Sequence, residues 1–399
     1  MRLRGAHFPT GERRDWIVAD GLIQSVTEPG SVPPDVEAAF LAPAFFDLQI
    51  NGGGGIAFSS PSLSSEDIRK VAALCHQHGI GAFCPTLITN SPDSLLHGFA
   101  VLHRARELDP HLARAMPLFH LEGPYIAAED GPRGAHPKAH VRPPDWDEFR
   151  RLQEAAGGLI RLLTLAPEHD EALNFIERVV DSGVVVALGH TAATPERIRD
   201  AIAAGARLST HLGNGCHTLL HRHANPLWEQ LAADNLWASI ICDGHHLPPA
   251  LVHCIVRMKT PSRLILTCDA SSLAGVPPGR YRQWEQDLEV LPEGKIVPCG
   301  QNVLAGSWVF TDVCVANVMR YAGLSLAASI ALATDQPRRL LGLPIQTLEI
   351  GQPADMILLD IKDDGTPIIR NVVIGGDLWH SAEKVGGSTS LVACERQEV

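Results

Sequence analysis

VVVALGHTAATPERIRDAIAAGARLSTH, residues 184–211, contains two strand-like segments that each lead into a histidine. The first segment, 184–188, continues through a glycine to His190. The second, 207–209, continues through a threonine to His211. Short apolar segments bounded by glycine and polar residues are typical of buried strands. This stretch therefore predicts two consecutive strands with one histidine at the end of each.

The residues between these strands have the signals of a helix. Residues 195–204 are rich in alanine and charged residues, follow Thr194 as a predicted N-cap, begin with proline and stop at Gly205. The unit is thus strand, helix, strand. In a parallel barrel the carboxyl ends of neighbouring strands meet on the face where active sites form. His190 and His211 could therefore bind one metal ion together, although a single histidine at a strand end is more often structural.

The alternation of strand and helix extends over most of the chain. Eight candidate strands lie at about 44–50, 80–87, 116–121, 160–166, 184–189, 207–211, 237–242 and 263–268. Further helical patterns lie at 66–78, 93–107, 145–156, 171–182 and 248–259, and after a variable segment at 279–300 also near 308–321, 325–334 and 336–341. Eight such units predict an α/β fold with a TIM-like (β/α)8 barrel, and a doubly wound open sheet is the alternative.

Both ends of the chain carry strand patterns outside the barrel. Residues 16–19 and 22–26 flank an Asp-Gly turn, and 354–360 and 367–374 flank another turn-forming segment. Because an isolated hairpin is marginally stable at best, we expect both ends to build one small β domain. The predicted boundaries are 1–41 with 346–399 for this domain and 42–345 for the barrel.

Composition excludes several classes of partner. The chain has 399 residues and a net charge of -12 at pH 7 without a basic run, which argues against nucleic acid and anionic membranes and favours small metabolites. Its nine cysteines stand singly, without a Cys-x-x-Cys pair, as expected of free thiols in a reducing compartment. We find no signal-peptide pattern and no apolar run of transmembrane length, so we expect a cytoplasmic protein.

A glutamate closes the third predicted strand. Glu122 is followed directly by glycine and proline, which stop the strand and should place the carboxylate at the barrel mouth. A solvated or helix-capping glutamate is the alternative. Together with His190 and His211, Glu122 would complete three protein ligands of a catalytic zinc site that leaves the fourth position to water.

Polar residues also follow the seventh and eighth predicted strands. Asp269 closes an otherwise apolar strand, where a carboxylate is costly unless it is paired or functional, so it is a candidate general base. His246 belongs to the sequence Asp-Gly-His-His at 243–246. This sequence is either a polar turn or the source of a histidine that polarises a carbonyl or positions substrate.

The loops after the first and sixth predicted strands are candidates for substrate contacts. Gln49-Ile50-Asn51 precedes four glycines at 52–55, but no Gly-Lys-Ser/Thr sequence follows, so the P-loop interpretation is weak. We expect the glycines instead to let the backbone turn sharply beside the site. Residues 214–223 are rich in groups that hydrogen-bond anions, and Arg222 is either one of these or a surface charge.

The order and spacing of these segments resemble the N-acetylglucosamine-6-phosphate deacetylase family of the amidohydrolase superfamily. The matching segments, which together cover nearly the whole chain, are 43–55, HLEGPY at 120–125, RGAH at 133–136, LGHT at 188–191, THL at 210–212, DGHH at 243–246, TCDA at 267–270 and LAGS at 304–307. The sequence GQPAD at 351–355 is similar to the superfamily's return into its small β-sandwich domain.

The resemblance implies a metal-dependent mechanism. One divalent ion would bind to Glu122, His190 and His211. We expect this ion to be Zn²⁺, and Fe²⁺ or another divalent ion is the alternative. Asp269 would act as catalytic base and acid, and His246 would contact the scissile amide.

The resemblance also implies the substrate contacts. Gln49 begins the segment where many amidohydrolases have His-x-His for a second ion, and the absence of that motif favours one metal per chain. His136 would contact the sugar, and Asn214 with the amide of Gly215 would hold the phosphate. Arg222 matches an arginine that reaches into the neighbouring subunit's site in dimers of the family, which implies a homodimer.

The chain departs from the family between residues 213 and 228. The arginine is followed by His-Ala-Asn-Pro instead of the usual Glu-Pro-Gly, and Gly213 and Cys216-His217 stand where Phe-Asn-Ala-Met is common. The expected reaction is hydrolysis of the N-acetyl group of N-acetylglucosamine 6-phosphate to glucosamine 6-phosphate and acetate. The alternatives are an amidohydrolase for another N-acyl amino sugar, N-acyl amino acid or cyclic amide, a deaminase, and a non-catalytic barrel.

Overall fold

A computed structural model describes residues 1–283, 286–301 and 303–381 of the chain. The strands are β1 (Arg2–His7), β2 (Arg13–Ala19), β3 (Leu22–Thr27), β4 (Val36–Pro43), β5 (Phe45–Ile50), β6 (Gly52–Gly53), β7 (Ile56–Ala57), β8 (Ile80–Ile88), β9 (Phe119–Glu122), β10 (Ile160–Leu165), β11 (Val185–Leu188), β12 (Leu208–Ser209), β13 (Trp237–Ile241), β14 (Leu264–Thr267), β15 (Gly279–Gln283), β16 (Gln286–Val290), β17 (Ile296–Pro298), β18 (Met356–Ile361), β19 (Pro367–Ile374) and β20 (Asp377–Ser381). The α-helices are α1 (Ser65–Gln77), α2 (Pro92–Leu108), α3 (Pro110–Ala115), α4 (Trp146–Ala155), α5 (Ala172–Asp181), α6 (Pro195–Ala203), α7 (Pro226–Ala232), α8 (Pro249–Lys259), α9 (Thr311–Ala322), α10 (Leu326–Leu332) and α11 (Asp335–Leu341).

Eight parallel strands form the central barrel, in the order β5-β8-β9-β10-β11-β12-β13-β14. Each strand lies beside the next one along the chain, as expected when a helix returns the chain between them. A parallel bridge between Ile50 and Ala270 joins the ends of the first and last strands. The predicted TIM-like barrel is therefore confirmed, and the open-sheet alternative is wrong.

The buried carboxylate of Asp47 on β5 also holds the first and last strands together. It accepts hydrogen bonds from the Thr267 hydroxyl at 2.5 Å and the Cys268 amide at 2.9 Å, both at the end of β14. The Thr311 hydroxyl at the start of α9 donates at 2.6 Å, and the Gln49 amide at 2.9 Å. Burial raises the pKa of Asp47, while these four donors stabilise its charged form.

The helices begin where the sequence supplies capping groups. Ser64 and Asp67 form a capping box at the start of α1, and the Thr194 hydroxyl accepts the Arg197 amide at 3.3 Å at the start of α6. The predicted helices are all present, with ends shifted by a few residues. Two short helices, α3 and α7, were not predicted.

A seven-stranded sheet combines both ends of the chain, in the order β20-β19-β18-β4-β1-β2-β3. Its core buries apolar side chains from both ends, among them Leu3, Trp16, Leu358 and Val373. The predicted small β domain is thus confirmed, and hydrogen bonds join all its strands in one sheet. The residue boundaries of the two domains stay a prediction, and residues 382–399 lie outside the described residues.

The segment after the eighth barrel strand, predicted as variable, forms a three-stranded antiparallel sheet of β15, β16 and β17. Its buried apolar side chains include Leu288, Val290 and Ile296. The Gln286 side chain donates to the Ala135 carbonyl at 3.3 Å. This sheet therefore packs beside the loop that carries His136.

The cysteines in the described part of the chain are all free thiols, as the sequence indicates, and Cys394 lies outside that part. None of the helices seen in residues 1–381 is long and apolar enough to span a membrane.

Candidate active site

The carboxyl ends of the barrel strands open into a cavity of about 540 Å³. Loops after six of the eight strands contribute to its wall, and its base carries the predicted polar residues Glu122, His136, His190, His211, His246 and Asp269. Glu122 and Asp269, which are 147 residues apart along the chain, thus face the same cavity. Such a concave site with convergent polar groups is the usual setting for a small-molecule ligand.

Glu122, His190 and His211 meet at the base of this cavity. The Nε2 atom of His211 lies 3.1 Å from Oε1 of Glu122 and 3.1 Å from Nε2 of His190. The His190 Nε2 atom lies 3.3 Å from the same Glu122 oxygen. All three side chains are buried, with less than a tenth of their surface exposed. The sequence prediction that these residues come together agrees with this geometry.

The donor set fits a divalent metal ion. Tetrahedral ligand atoms bound at about 2.0–2.1 Å are separated by roughly 3.3–3.4 Å, close to the separations found here. The Nδ1 atom of His190 lies 2.9 Å from the Pro132 carbonyl, which accepts only, so Nδ1 carries the proton and the Nε2 lone pair faces Glu122. Two histidine nitrogens and a carboxylate oxygen around one point are the ligands that zinc and similar ions bind.

His136 is a fourth residue within reach of this centre. One ligand atom from each of Glu122, His136 and His190 can be chosen so that all lie within 4.8 Å of one another. However, the His136 Nε2 atom is 3.9 Å from the outer oxygen Oε2 of Glu122, and its Nδ1 atom is 2.8 Å from the Thr89 hydroxyl. His211 lies closer to both other ligands, so it is the better third member and His136 faces the cavity beside them.

Asp269 lies across the same centre and is held by two amide side chains. Its Oδ1 atom accepts hydrogen bonds from Nε2 of Gln49 at 2.8 Å and from Nδ2 of Asn51 at 2.7 Å. The Gln49 amide also donates to Oε1 of Glu122 at 2.9 Å. Gln49 therefore fills the space between the two carboxylates with hydrogen-bond donors, which is where a second cation would have to bind.

The two carboxylates have opposite pKa shifts. Burial and the nearby charge of Glu122 raise the pKa of Asp269 well above its ordinary value. Burial opposes ionisation of Glu122 as well, but its close contacts with His190 and His211 outweigh it and hold its pKa well below the ordinary value. Glu122 is thus the carboxylate that stays ionised, and a cation bound to it would lower the pKa of Asp269 in turn.

The backbone is strained at three of these residues. His190, His211 and Asp269 have φ values of 51°, 32° and 53°, in the left-handed region that side chains with a Cβ rarely adopt. Each follows a barrel strand, and the turn aims its side chain across the barrel mouth. Such strain costs about 1–3 kcal/mol per residue and clusters at functional sites. The shared conformation supports a common role for the three residues.

His246 faces the cavity from the end of β13 and is oriented by Asp243. The Nδ1 atom of His246 lies 2.7 Å from Oδ2 of Asp243, and both side chains are more than nine-tenths buried. Asp243 also accepts the backbone amides of His245 and His246 at 2.8 and 2.9 Å. Burial would raise the pKa of Asp243, but these hydrogen bonds and the charge of His246 lower it below the ordinary value.

The predicted phosphate contacts divide into two groups. Asn214 and Gly215 line the cavity, as do Cys216 and His217 from the divergent segment. Arg222 does not line it, and its side chain is exposed on the outer part of the same segment. Among the described residues of the wall none is a lysine or an arginine. The chain by itself therefore offers amides and a histidine at this end, without a fixed positive charge.

The sequence prediction missed three supporting residues. Asp47 and Asp243 were given no role, and Asn51 was named only as part of a motif. A signal existed for each of the two aspartates. Asp47 is a carboxylate inside an otherwise apolar strand, FFDLQI, and Asp243 stands three residues before a candidate functional histidine.

Comparison with known proteins places this site in a family. The model of the amidohydrolase family matches residues 40–379. The chain belongs to the amidohydrolase family. Over 361 residues it is 35% identical to N-acetylglucosamine-6-phosphate deacetylase of Homo sapiens, covering 87% of this chain and 85% of that protein. The predicted resemblance is thereby confirmed.

Two further relatives are deacetylases of amino-sugar phosphates. N-acetylgalactosamine-6-phosphate deacetylase of Escherichia coli O157:H7 is 32% identical, with 86% of this chain and 89% of that protein covered. The solved structure of a Mycobacterium smegmatis N-acetyl-D-glucosamine-6-phosphate deacetylase mutant, in which alanine replaces an aspartate, contains N-acetyl-D-glucosamine-6-phosphate. It has a TM-score of 0.85 and 30% identity, and covers 95% of this chain and 99% of its own.

Proposed function

We propose that this amidohydrolase removes the N-acetyl group of N-acetylglucosamine 6-phosphate, giving glucosamine 6-phosphate and acetate. The observation that carries the proposal is the buried convergence of Glu122, His190 and His211, with Asp269 directly across from them, in a chain whose relatives are amino-sugar-phosphate deacetylases. This geometry supports a metal centre and a separate carboxylate. These are the two parts that hydrolysis of an unactivated amide requires.

The metal site would be formed by Glu122, His190 and His211 and would hold one divalent ion, which we propose to be Zn²⁺, with Fe²⁺ as the alternative. When bound, the ion supplies Lewis acidity, which polarises the acetamide carbonyl and lowers the pKa of the attacking water. One ion per chain is supported by Gln49, whose amide occupies the space between Glu122 and Asp269.

The chain's own residues would move the proton and bind the acyl group. Asp269 accepts a proton from the attacking water through the oxygen that Gln49 and Asn51 leave free, and then gives that proton to the departing amine. His246 hydrogen-bonds the acyl oxygen from the other side of the cavity. His136, beside Glu122, contacts the sugar.

The phosphate would bind at the end of the cavity formed by the loop after β12. Asn214 and the Gly215 amide are in the wall and can donate to phosphate oxygens. Gln49 does not line the cavity, and its proposed part in substrate binding is to hold Glu122 and Asp269 beneath it. Arg222 is exposed and does not line its own cavity, which supports the proposal that it acts in the cavity of a second subunit and that the protein is a homodimer. We also propose a cytoplasmic location and a barrel domain that extends from residue 42 to residue 345.

N-acetylgalactosamine 6-phosphate, another N-acyl amino compound, is the second candidate substrate. The Escherichia coli relative with that specificity is almost as similar to this chain as the N-acetylglucosamine 6-phosphate enzymes are. The divergent residues Cys216 and His217 line the cavity and would contact the substrate. An N-acyl amino acid is a more distant alternative within the same reaction type.

The decisive experiment measures acetate release from N-acetylglucosamine 6-phosphate, its unphosphorylated form and N-acetylgalactosamine 6-phosphate, with the metal content of the same preparation. Preference for the first substrate with about one metal ion per chain is the expected outcome. Turnover of the galactosamine compound alone would move the proposal to the second candidate. No acetate from any of the three, with metal present, would reject sugar-phosphate deacetylation.

A further inference from the structure

We infer that Asp243 is a positioning residue of the reaction. It holds the proton of His246 on Nδ1, and it compensates the positive charge of the His246 ring when both ring nitrogens carry a proton. The inference rests on the proposed function, since it assigns how His246 meets the acyl oxygen. It concerns a carboxylate that lies outside the metal centre and has no other task in the proposed mechanism.

The hydrogen bonds of Asp243 define its protonation state. Its Oδ1 atom accepts the backbone amides of His245 and His246, and its Oδ2 atom lies 2.7 Å from Nδ1 of His246. Burial would raise the pKa of Asp243, but the neighbouring ring and these hydrogen bonds hold it below the ordinary value, so the carboxylate is ionised, can only accept, and requires a proton on the nitrogen that faces it. Nδ1 of His246 is therefore protonated. Its Nε2 atom has no hydrogen-bond partner in the described part of the chain and is the nitrogen left for the cavity.

This arrangement determines what His246 can do. A neutral ring with its proton on Nδ1 has only a lone pair at Nε2, and a lone pair cannot donate to a developing oxyanion. To donate, the ring must carry a second proton and become an imidazolium. A buried cation is costly unless an anion compensates it, and Asp243 is such an anion at 2.7 Å. The pair thus provides a charged hydrogen-bond donor without a fixed arginine or lysine in the wall.

The loop that carries the pair is held rigidly from behind. The Asn317 side chain on α9 donates to the Cys242 carbonyl at 2.7 Å, and Arg320 donates to Asn317 at 2.9 Å. Gly244 has φ of 93°, and a Cβ there would lie 3.4 Å from the Tyr321 hydroxyl. The turn after Asp243 is therefore restricted both by its backbone conformation and by α9. Such support is what a preorganised donor needs.

The test is a double-mutant cycle with Asp243→Asn, His246→Ala and the double variant, assayed for acetate release from the preferred substrate. Removing one oxyanion donor costs about 10²–10³ in kcat. We expect His246→Ala to lower kcat by about that factor and Asp243→Asn by a smaller one, with a smaller change in KM, because the ring in Asp243→Asn still donates from Nε2 but as a neutral group. Because Asp243 acts through His246, the double variant should be no slower than His246→Ala alone. Additive losses would overturn the inference.

A matched control separates this role from a structural one. His78 and Asp312 form a similar pair at 3.1 Å, outside the cavity. Asp312→Asn should leave kcat unchanged. If it lowered kcat as much as Asp243→Asn does, the loss in the latter would reflect a general effect of removing such a pair, and the inference would fail.

A spectroscopic measurement tests the inference without any substrate. Histidine side-chain ¹⁵N NMR of the wild type, with the His246 signals assigned by their absence in His246→Ala, should show the proton on Nδ1. In Asp243→Asn the amide oxygen stays on the two backbone amides, so the NH2 group faces Nδ1 and the ring proton moves to Nε2. An unprotonated Nδ1 in the wild type would contradict the inference. If the wild type released no acetate, the proposed function would fail while this result still decided the role of Asp243.

Discussion

Replacement of Asp269 by asparagine is the sharpest test of the proposed mechanism, because the structure indicates that the change removes a proton acceptor and little else. Oδ1 of Asp269 accepts from Gln49 at 2.8 Å and from Asn51 at 2.7 Å. An asparagine would place its oxygen at this position to keep both hydrogen bonds. Its NH2 group would then occupy the position of Oδ2, which is the oxygen that we assign to proton transfer. Folding should therefore be little affected.

The expected loss follows from the chemistry of that one position. General acid–base catalysis contributes roughly 10²–10⁴ to the rate, equivalent to about 2.7–5.5 kcal/mol of barrier. We expect kcat of Asp269→Asn to fall by about this factor. The metal content should stay nearly unchanged, because Asp269 is not one of the three proposed ligands.

The assay compares initial rates of acetate release, metal content and melting temperature of the wild type and Asp269→Asn, with Asp312→Asn as a control for loss of a negative charge elsewhere. Full activity in Asp269→Asn would refute its role as base. A parallel loss of metal and of thermal stability would instead show that Asp269 belongs to the metal site, which would contradict the assignment of three protein ligands.

The remaining predictions concern the metal, the barrel closure, the subunits and the small β domain. Removal of the metal by a chelator should abolish acetate release, and one equivalent of a divalent ion should restore it; restoration that requires two would contradict the single-ion proposal. Asp47→Ala should lower the free energy of unfolding by about 3–5 kcal/mol in denaturant titration, because four buried donors, Thr267 among them, lose their acceptor; a loss under 1 kcal/mol would contradict this. Arg222→Ala should raise KM for the phosphorylated sugar and leave that for the unphosphorylated sugar unchanged, and equal effects on both would remove the support for its phosphate contact. In the small β domain, the hydrogen bond from Arg4 lowers the pKa of buried Asp15. The stability that Asp15 contributes is therefore present above the unfolded pKa near 3.8 and is lost as the pH falls through the folded pKa. Asp15→Asn should thus be less stable than the wild type at pH 7, and this difference should shrink as the pH is lowered below 3.8 towards the folded pKa.

The barrel and the ends of its strands could be predicted well from the sequence. The strands are apolar because both of their faces are buried, and the helices between them end at glycine or begin at capping residues, so each unit carries its own local signals. Glu122, His190, His211 and Asp269 each follow such a strand directly. Parallel strands that succeed one another around a barrel bring these positions together, so their proximity followed from the fold class.

Other features had no local signal that could reveal them. β4 and β18 lie beside each other only because the sheet takes strands from both ends of the chain, and β15 and β16 are short and consist mostly of polar and charged residues. The sequence likewise could not show whether Arg222 faces its own cavity, because that depends on the path of the loop after β12.

The sequence by itself determined which chemical groups stand at the strand ends and, through the regular alternation of strand and helix, on which face of the barrel they meet. Only the tertiary structure decided how those groups are paired. The Gln49 amide bridges Glu122 and Asp269, and Asp47 joins the two ends of the barrel through residues 220 positions away. Hydrogen bonds form over about 3 Å, whereas a strand's place in the barrel is specified only to within several ångströms by its pattern. Contacts of that precision depend on barrel closure and on backbone turns such as those at His190 and His211, which no local pattern encodes.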